Sequence, residues 1–430
     1  MTLTDERQAV HTWPDLSPTP TAGLGARIAR RLFRSAVERL DVTVHLAAGP
    51  TYAAETIGRG GPEIHVHRPE ELFARLGRDQ LIGFGEAYLT GAWDEGPSAR
   101  PGALGDFLTV LAADLTTLVP APLQRLRSVV VPRVPRTHRG DRDTTRANVA
   151  HHYDLSNDLF ALFLDPTLSY SAAWFDDPAT ATAADLPAAQ HRKIDRLLDQ
   201  AGVGEGTRLL EIGTGWGELA IRAAARGATV HSITLSSEQL ALARHRVAAA
   251  GQAERVEVEL LDYRVLADTT ATKAAYDAVV SVEMVEAVGW RYWPTYFRVL
   301  DHVLAPGGRV ALQAITMTHD RMLATRDTHT FITKYVFPGG SLPSVRAIEE
   351  TAVRHTSLRV VDQLSLGADY ATTLRLWDEA FTAAAAGEVE ALGFDSTFRR
   401  MWHFYLEYSR AGFAAGYIDD HQLTLVKEER

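Results

Sequence analysis

From about residue 190 the apolar positions of the chain alternate between two rhythms. Short runs rich in Val, Ile and Leu read as strands: TRLLEIG at 207–213, TVHSITL at 229–235, RVEVELLD at 255–262, YDAVVSVEM at 276–284 and RVALQAITM at 309–317. Between them lie stretches with apolar residues three and four apart, as in GELAIRAAARG at 217–227, SSEQLALARHRVAAAG at 236–251 and YWPTYFRVLDHVL at 292–304, which read as helices. APGG at 305–308 reads as a turn. Strands alternating with helices predict an α/β fold with a mostly parallel, doubly wound sheet.

The front of the chain has a different pattern. Residues 1–22 form a polar leader, with neither the positive start nor the apolar run of a signal peptide. GLGARIARRLFRSAVERL at 23–40 spaces Ile28, Leu32, Val37 and Leu40 nearly as a helix does, among Arg27, Arg30, Arg31, Arg34 and Arg39. Such a helix either turns an apolar stripe to the core or lies on an anionic lipid surface. DVTVHL and EIHVHR read as strands, EELFARL and DFLTVLAADLTTLV as helices, and IGFGEAYLTGAW at 82–93 as a tight turn region. Residues 23–120 are thus expected to form a small α+β domain. Residues 121–147, rich in Arg and Pro, are expected to be a linker, and 148–430 a second domain that holds the alternating strands and helices.

Composition narrows the chemistry. Among 430 residues there is no cysteine, which excludes thiolate nucleophiles, Cys–zinc sites and Fe–S clusters. A net charge of −10 disfavours a generic nucleic-acid binder. No apolar run reaches the roughly 18 residues of a spanning helix. His151–His152 invites a metal reading, but neighbours on an extended chain point to opposite faces, so no metal site is expected. No G-x-S-x-G elbow is present, which disfavours a hydrolase.

The strand TRLLEIG runs into Gly213-Thr214-Gly215-Trp216-Gly217 and then a helix. Such a loop lets a ligand approach the backbone at a helix N-terminus. A dinucleotide fingerprint would want Gly where Glu218 stands, and an acid at the end of the second strand, which ends in Ile233-Thr234-Leu235. The E-x-G-x-G-x-G pattern from Glu211 suits S-adenosylmethionine (SAM) better, with Asp262 after the third strand placed to reach adenine. A NAD-type oxidoreductase is the weaker alternative.

RANVAHHYDLSNDLFALFLDPTLSYSAAWF at 146–175 resembles the opening of the catalytic domain in cyclopropane-fatty-acid synthases. LEIGTGWGELAIRAA, ITLSSEQLALAR, LLDYR, VVSVEMVEAVG, LAPGGRVALQAIT, KYVFPGGSLPS and FRRMWHFYLEYSRAGF follow in the family's order. IHVHRPEELFARLGRDQLIGFGEAYLTGAW resembles the small N-terminal domain of its longer members. Within the family, LEIGTGWGE, SVEMVEAVG and ALQAITMTHDRMLATRDTHT look most like the branch that makes 10-methylstearic (tuberculostearic) acid.

The resemblance implies a Rossmann-like class I SAM methyltransferase fold with helical additions at the lipid site. It implies transfer of the methyl carbon of SAM to the double bond of an oleoyl phospholipid, forming a 10-methylene chain that a separate flavin-dependent reductase saturates. A cyclopropane product, or a lipid-binding protein without catalysis, are the alternatives. The membrane phospholipid is the expected partner, at the cytoplasmic face of the membrane and without a spanning segment; a homo-oligomer is left open.

Residue by residue, Tyr170 and Ser171 match a pair closing over SAM, and Gly213 and Gly215 the approach to its methionine part. Thr234, Leu235 and Gln239 match ribose-side positions, and Asp262 and Tyr263 adenine-side ones. Val282 and Glu286 match the strand end near the sulfonium and acyl chain, and Ile315 and Tyr370 match positions around a bound bicarbonate. The departures are Ala172 and Ala287 in place of Cys and His, Gln313 in place of His, and Asp369 before Tyr370 in place of His. They weigh against a bicarbonate and against ring closure. Tyr170 and Tyr370 are the expected aromatic partners of the cationic centre. Glu286, directly or through a bound water or anion, is the expected base, with Tyr370 orienting it. Glu286→Gln is expected to spare SAM binding and abolish turnover.

Overall fold

A computed structural model describes residues 13, 16, 19–21, 23–49, 53–97, 99–118 and 156–428, without side chains at 115–118. Most of the leader 1–22, the linker 121–147 and His151–His152 lie outside the described residues. The chain divides into two compact units, one of residues 1–132 with 374–415, the other of residues 133–373 with 416–430. The sequence boundaries had placed 374–415 with the catalytic domain. Those residues fall in the first unit because the helix Ser396–Ala414 packs on the helices Pro69–Leu89 and Ala103–Leu118.

The first unit holds a small four-stranded sheet of β1 (Thr43–Leu46), β2 (Glu55–Gly58), β3 (Glu63–Val66) and β4 (Trp93–Asp94), in the order β2-β1-β3-β4. IGFGEAYLTGAW is not a turn region; most of it belongs to the helix Pro69–Leu89, which bends at Gln80 (φ 54°). Its glycine serves close packing: a Cβ on Gly83 would stand 2.0 Å from the Arg75 carbonyl oxygen. Arg75 is fully buried there, donating to Glu71 at 3.0 Å. On β1 and β3, His45, Glu63 and His65 bring ligand-type atoms within 4.8 Å of one another, a cluster the sequence reading did not anticipate. His45 spends its ring nitrogens on Thr56 and Glu63, at 3.1 Å each.

The expected Arg-rich helix spans Leu24–Val37. Its apolar residues divide between the two readings. Val37 and Leu40 are buried, and Phe33 packs edge-on against Phe73 at 5.7 Å. Leu24, Ile28 and Leu32, four residues apart, remain 72%, 52% and 42% exposed.

The second unit is built on a seven-stranded sheet in the order β10-β11-β9-β8-β5-β6-β7. These strands are β5 (Arg208–Ile212), β6 (Thr229–Thr234), β7 (Val256–Leu260), β8 (Tyr276–Val282), β9 (Leu304–Thr316), β10 (Leu358–Ser365) and β11 (Asp419–Lys427). β5 to β9 run parallel, and β11 inserts antiparallel between β9 and β10. APGG is absorbed at the start of β9 as an irregularity, with Tyr276 opposite Leu304 but Ala278 opposite Arg309. The chain steps outward from β5 through β6 to β7, then returns to β8 on the other side. Ligands of such sheets bind at that reversal, at the carboxyl ends of the strands.

Both faces of the sheet are covered. Successive residues of a strand point to opposite faces, so Leu209 and Leu210 enter different cores. Leu210 packs with Val279, Tyr296, Phe297 and Leu312. Leu209 packs with Ala220, Ala223, Val230, Ala243 and Val280.

Candidate active site

The glycine loop leaves β5 at the reversal point. Gly213, Gly215 and Gly217 have φ of 99°, 52° and 90°, a region other residues enter at a cost of roughly 1–2 kcal/mol. A Cβ on Gly213 would meet Met284 Cγ at 2.7 Å, so the loop abuts the segment after β8. A Cβ on Gly215 would meet no protein atom within 4 Å, which leaves room for a ligand against the backbone. Glu211 lies beneath the loop and takes a hydrogen bond from Ser232. Burial pushes its carboxyl up to about 8.

The other expected cofactor residues flank the loop. At the end of β6, Thr234 is 3.1 Å from Gln239 Oε1 and donates to it; both are buried and Leu235 lies between strand and helix. After β7, Asp262 caps the turn Tyr263–Ala267 and accepts from Arg264 Nε at 2.9 Å. Tyr263 is a core side chain, edge-on to Tyr296 at 5.2 Å, rather than an open edge of the loop. Tyr170 packs edge-on against Phe160 at 5.1 Å, and Phe160 in turn touches Trp216 of the glycine loop. Ser171 is buried and accepts from Lys193 Nζ at 2.5 Å.

Beyond the end of β8 the chain turns sharply. Val282 is the last strand residue, and Glu283 takes φ 51°, rare for a residue with a side chain. The turn aims the Glu283 carboxylate at three donors. Oε1 accepts from Ala172 N and from Gln313 Nε2, each at 3.0 Å, and Oε2 accepts from the Tyr370 hydroxyl at 2.7 Å. Gln313 gives its second amide hydrogen to Asp420 at 2.8 Å and accepts from Gln422 at 3.1 Å. One amide thus bridges two carboxyls, as its two donors and one acceptor allow.

Glu286 stands one turn on. Its Oε1 accepts from Ile315 N, while its Oε2 is buried without a hydrogen-bond partner. Burial, then the neighbouring Glu283, pushes its carboxyl up to about 8. Asp420 is pushed well up by burial and by Glu283 and Glu286. Burial lowers Lys193 to about 8 against the pull of Glu283 and Asp420. Three carboxyls and one ammonium therefore share one desolvated corner.

The expected pairing of Tyr370 with Glu286 is not what the structure shows. Tyr370 serves Glu283, because Glu283 reaches the tyrosine from its left-handed turn. Glu283, Lys193 and Asp420 were missed in the sequence. Glu283 was visible as a second acid beside Glu286 in SVEMVEAVG, and Lys193 as a cation on the apolar side of its helix, next to Ala189, Gln190 and Ile194.

SAM and bicarbonate fit this site unequally. For SAM there is the open backbone at Gly215, with Gln190 Oε1 and Ser341 Oγ also buried and unpartnered. Gln190 donates to the Ser171 carbonyl at 2.9 Å, and Ser341 N to the Glu286 carbonyl at 2.9 Å, so both belong to this neighbourhood. Bicarbonate does not fit. The donors of Ala172, Gln313 and Tyr370 are spent on Glu283, and that of Ile315 on Glu286. A further anion would have to displace a carboxylate and sit beside two more.

Comparison with known proteins identifies the family. The family model "Mycolic acid cyclopropane synthetase" matches residues 140–423. The chain is 51% identical over 423 residues to the tuberculostearic acid methyltransferase UfaA1 of Mycobacterium tuberculosis, covering 97% of this chain and 95% of that one. It is 33% identical over 359 residues to the cyclopropane-fatty-acyl-phospholipid synthase of Escherichia coli, covering 83% and 86%. The crystal structure of the mycolic acid cyclopropane synthase CmaA1 complexed with SAH and CTAB superposes with a TM-score of 0.58 at 32% identity, covering 66% of this chain and 98% of that one. The α/β sheet, the glycine loop at its reversal and these matches lead to one conclusion: the chain belongs to the mycolic acid cyclopropane synthetase family of SAM-dependent methyltransferases.

Proposed function

We propose that this enzyme transfers the methyl carbon of SAM to the double bond of an oleoyl phospholipid chain and releases a 10-methylene acyl chain. The observation that carries the reading is the contact of the glycine loop with the carboxyl cluster, through Gly213 and Met284, beside a 51% identity to a tuberculostearic acid methyltransferase.

When bound, SAM supplies an electrophilic methyl group on a sulfonium. An unactivated alkene is a weak nucleophile, so the site must hold it close and dry. Tyr170 and Ser171 cover the cofactor, and Gly213 and Gly215 let it approach the backbone. Thr234, Leu235 and Gln239 face its ribose, Asp262 its adenine with Tyr263 backing that turn from the core, and Val282 the reacting groups. The alkene π pair would form the bond to the methyl carbon as the S–CH3 bond breaks, with that bond's electron pair staying on the sulfur of the departing S-adenosylhomocysteine. A cation would be left on the adjacent chain carbon. A hydride shift moves the cation to the methyl-bearing carbon, and loss of a methyl proton gives the exocyclic methylene. A carboxyl of the cluster takes that proton, and Glu286, having a carboxyl oxygen without a partner, belongs to that cluster.

The lipid is met at the membrane surface. Among the described residues no helix is long and apolar enough to cross a membrane. The helix Leu24–Val37 instead presents exposed Leu24, Ile28 and Leu32 beside exposed Arg27 and Arg31, a pattern suited to an anionic bilayer at the cytoplasmic face. The methylene product then suits a flavin-dependent reductase.

The test is product structure. Purified protein, SAM and dioleoyl phospholipid, without reductant, are expected to give an exocyclic methylene by NMR and mass spectrometry. A cyclopropane would replace the branch assignment, and no product from SAM-bound protein would overturn the activity.

A further inference from the structure

We infer that Glu283 is a proton acceptor built into the chain at the place where the family resemblance puts a bicarbonate. The inference rests on the methyl-transfer reading above and names the group that completes it.

The donors at that place converge from distant parts of the sequence: Ala172 N, Gln313 Nε2 and the Tyr370 hydroxyl. A carboxylate and a bicarbonate present the same planar pair of oxygens to such donors. Glu283 reaches them from a backbone turn with φ 51°. The site thereby carries its anion covalently.

The count of donors decides which carboxyl of the cluster holds the charge. Glu283 receives three, while Glu286 receives one from Ile315 N besides its own backbone N–H, and Asp420 one from Gln313. Lys193 supplies a single positive charge among them. Burial raises all three carboxyls, Glu283 included. On Glu283 the bonds from Tyr370, Ala172 and Gln313 and the charge of Lys193 oppose it, while Glu286 and Asp420 are raised further by Glu283 itself. With most donors on Glu283, the negative charge is placed there and the other two carboxyls hold protons.

On Glu283, Oε1 has two donors and Oε2 only Tyr370, which leaves Oε2 a lone pair. In the step, a C–H bond of the transferred methyl breaks. Its electron pair forms the double bond to the cationic chain carbon, and the proton bonds to Glu283 Oε2. No oxidant, reductant or external anion enters. Glu286 lies close enough to feel the charge of Glu283 and has Oε2 unpartnered, and its own proton must leave before it can take this one.

The experiment measures turnover of dioleoyl phospholipid in carbonate-free buffer, with and without added bicarbonate. The wild-type rate is expected to be the same in both, and titration with 13C-bicarbonate to show no binding by NMR. Glu283→Gln, which keeps the shape and loses the charge, is expected to lose about 100-fold or more in kcat with SAM affinity unchanged. Glu283→Gly removes the side chain at a turn glycine tolerates, opening the place for an anion. It is expected to lose activity in carbonate-free buffer, to bind 13C-bicarbonate, and to regain turnover with bicarbonate or formate.

Wild-type turnover that collapses without bicarbonate and returns with it would overturn the inference, and this needs no variant to fold. So would Glu283→Gln within about twofold of wild type, or a folded, SAM-binding Glu283→Gly that neither anion restores. Wild-type protein that makes no product in any buffer would instead count against the methyl-transfer reading.

Discussion

The hydroxyl of Tyr370 donates to Glu283 Oε2 at 2.7 Å, across 87 residues of sequence. This bond joins the helix Gly367–Ala384 to the strained end of β8 and fixes one oxygen of the carboxylate. The helix is itself tied to the cofactor side, since Asp369 Oδ1 accepts from Phe175 N at 2.7 Å and Thr373 Oγ1 from Ala173 N at 3.1 Å.

Tyr370→Phe removes one of the donors that hold Glu283 ionised. A hydrogen bond to a charged group contributes about 1.5–3 kcal/mol, so kcat is expected to fall roughly 10- to 100-fold. Losing a donor to the ionised form raises the acid's pKa. The acid limb of the pH–kcat profile is therefore expected to move to higher pH, with SAM affinity unchanged by calorimetry. An unmoved profile would detach Tyr370 from proton transfer.

Glu286→Gln keeps the acceptor for Ile315 N and removes the titrating group. SAM binding is expected to persist while turnover falls by about 100-fold or more. Normal turnover in the variant would remove Glu286 from the reaction.

Gly215→Ala tests the open backbone of the loop. The added Cβ meets no protein atom within 4 Å, so its effect on the free protein is the strain of φ 52° alone, roughly 1–2 kcal/mol. If the cofactor lies against that backbone, the Kd for SAM should rise at least about tenfold, a 1.4 kcal/mol effect. Gly202→Ala, with φ 70° and equally open space, is the control and should leave Kd alone.

Glu211 makes stability depend on pH in a direction opposite to that of a salt-bridged acid. Burial raises its carboxyl from the ordinary 4.5 to about 8. Between those values the folded protein keeps a proton that the unfolded chain releases, so stability falls as pH rises through this window. Melting temperatures should decline from about pH 5 to pH 8, and Glu211→Gln should flatten part of that slope. A variant with the wild-type slope would place the titration elsewhere.

The helix Leu24–Val37 should govern access to lipid. Replacing Leu24, Ile28 and Leu32 by Ser removes side chains that each contribute about 1.5–3 kcal/mol when fully buried. Co-sedimentation with vesicles containing anionic phospholipid is expected to drop at least about tenfold. Turnover of detergent-dispersed lipid should stay near wild type. Unchanged vesicle binding would assign this face another role.

Local patterns in the sequence determined the parallel strands, the glycine loop after TRLLEIG and the three helices between those strands at 218–225, 237–249 and 293–303. A strand or helix is encoded within a few residues, by the spacing of its apolar positions. Close packing was not so encoded: IGFGEAYLTGAW has the glycines of a turn, yet Gly83 serves a helix pressed on the Arg75 carbonyl. Nor was the Arg-rich helix fully legible, since its spacing left open which apolar residues face the core. The carboxyl cluster was decided by tertiary structure alone. Ala172, Lys193, Glu283, Gln313, Tyr370 and Asp420 meet only because β11 inserts between β9 and β10 and β8 ends in a left-handed turn. The sequence names Glu286 and Tyr370 as neighbours in chemistry; the backbone at Glu283, one turn earlier, decides which carboxylate the tyrosine holds.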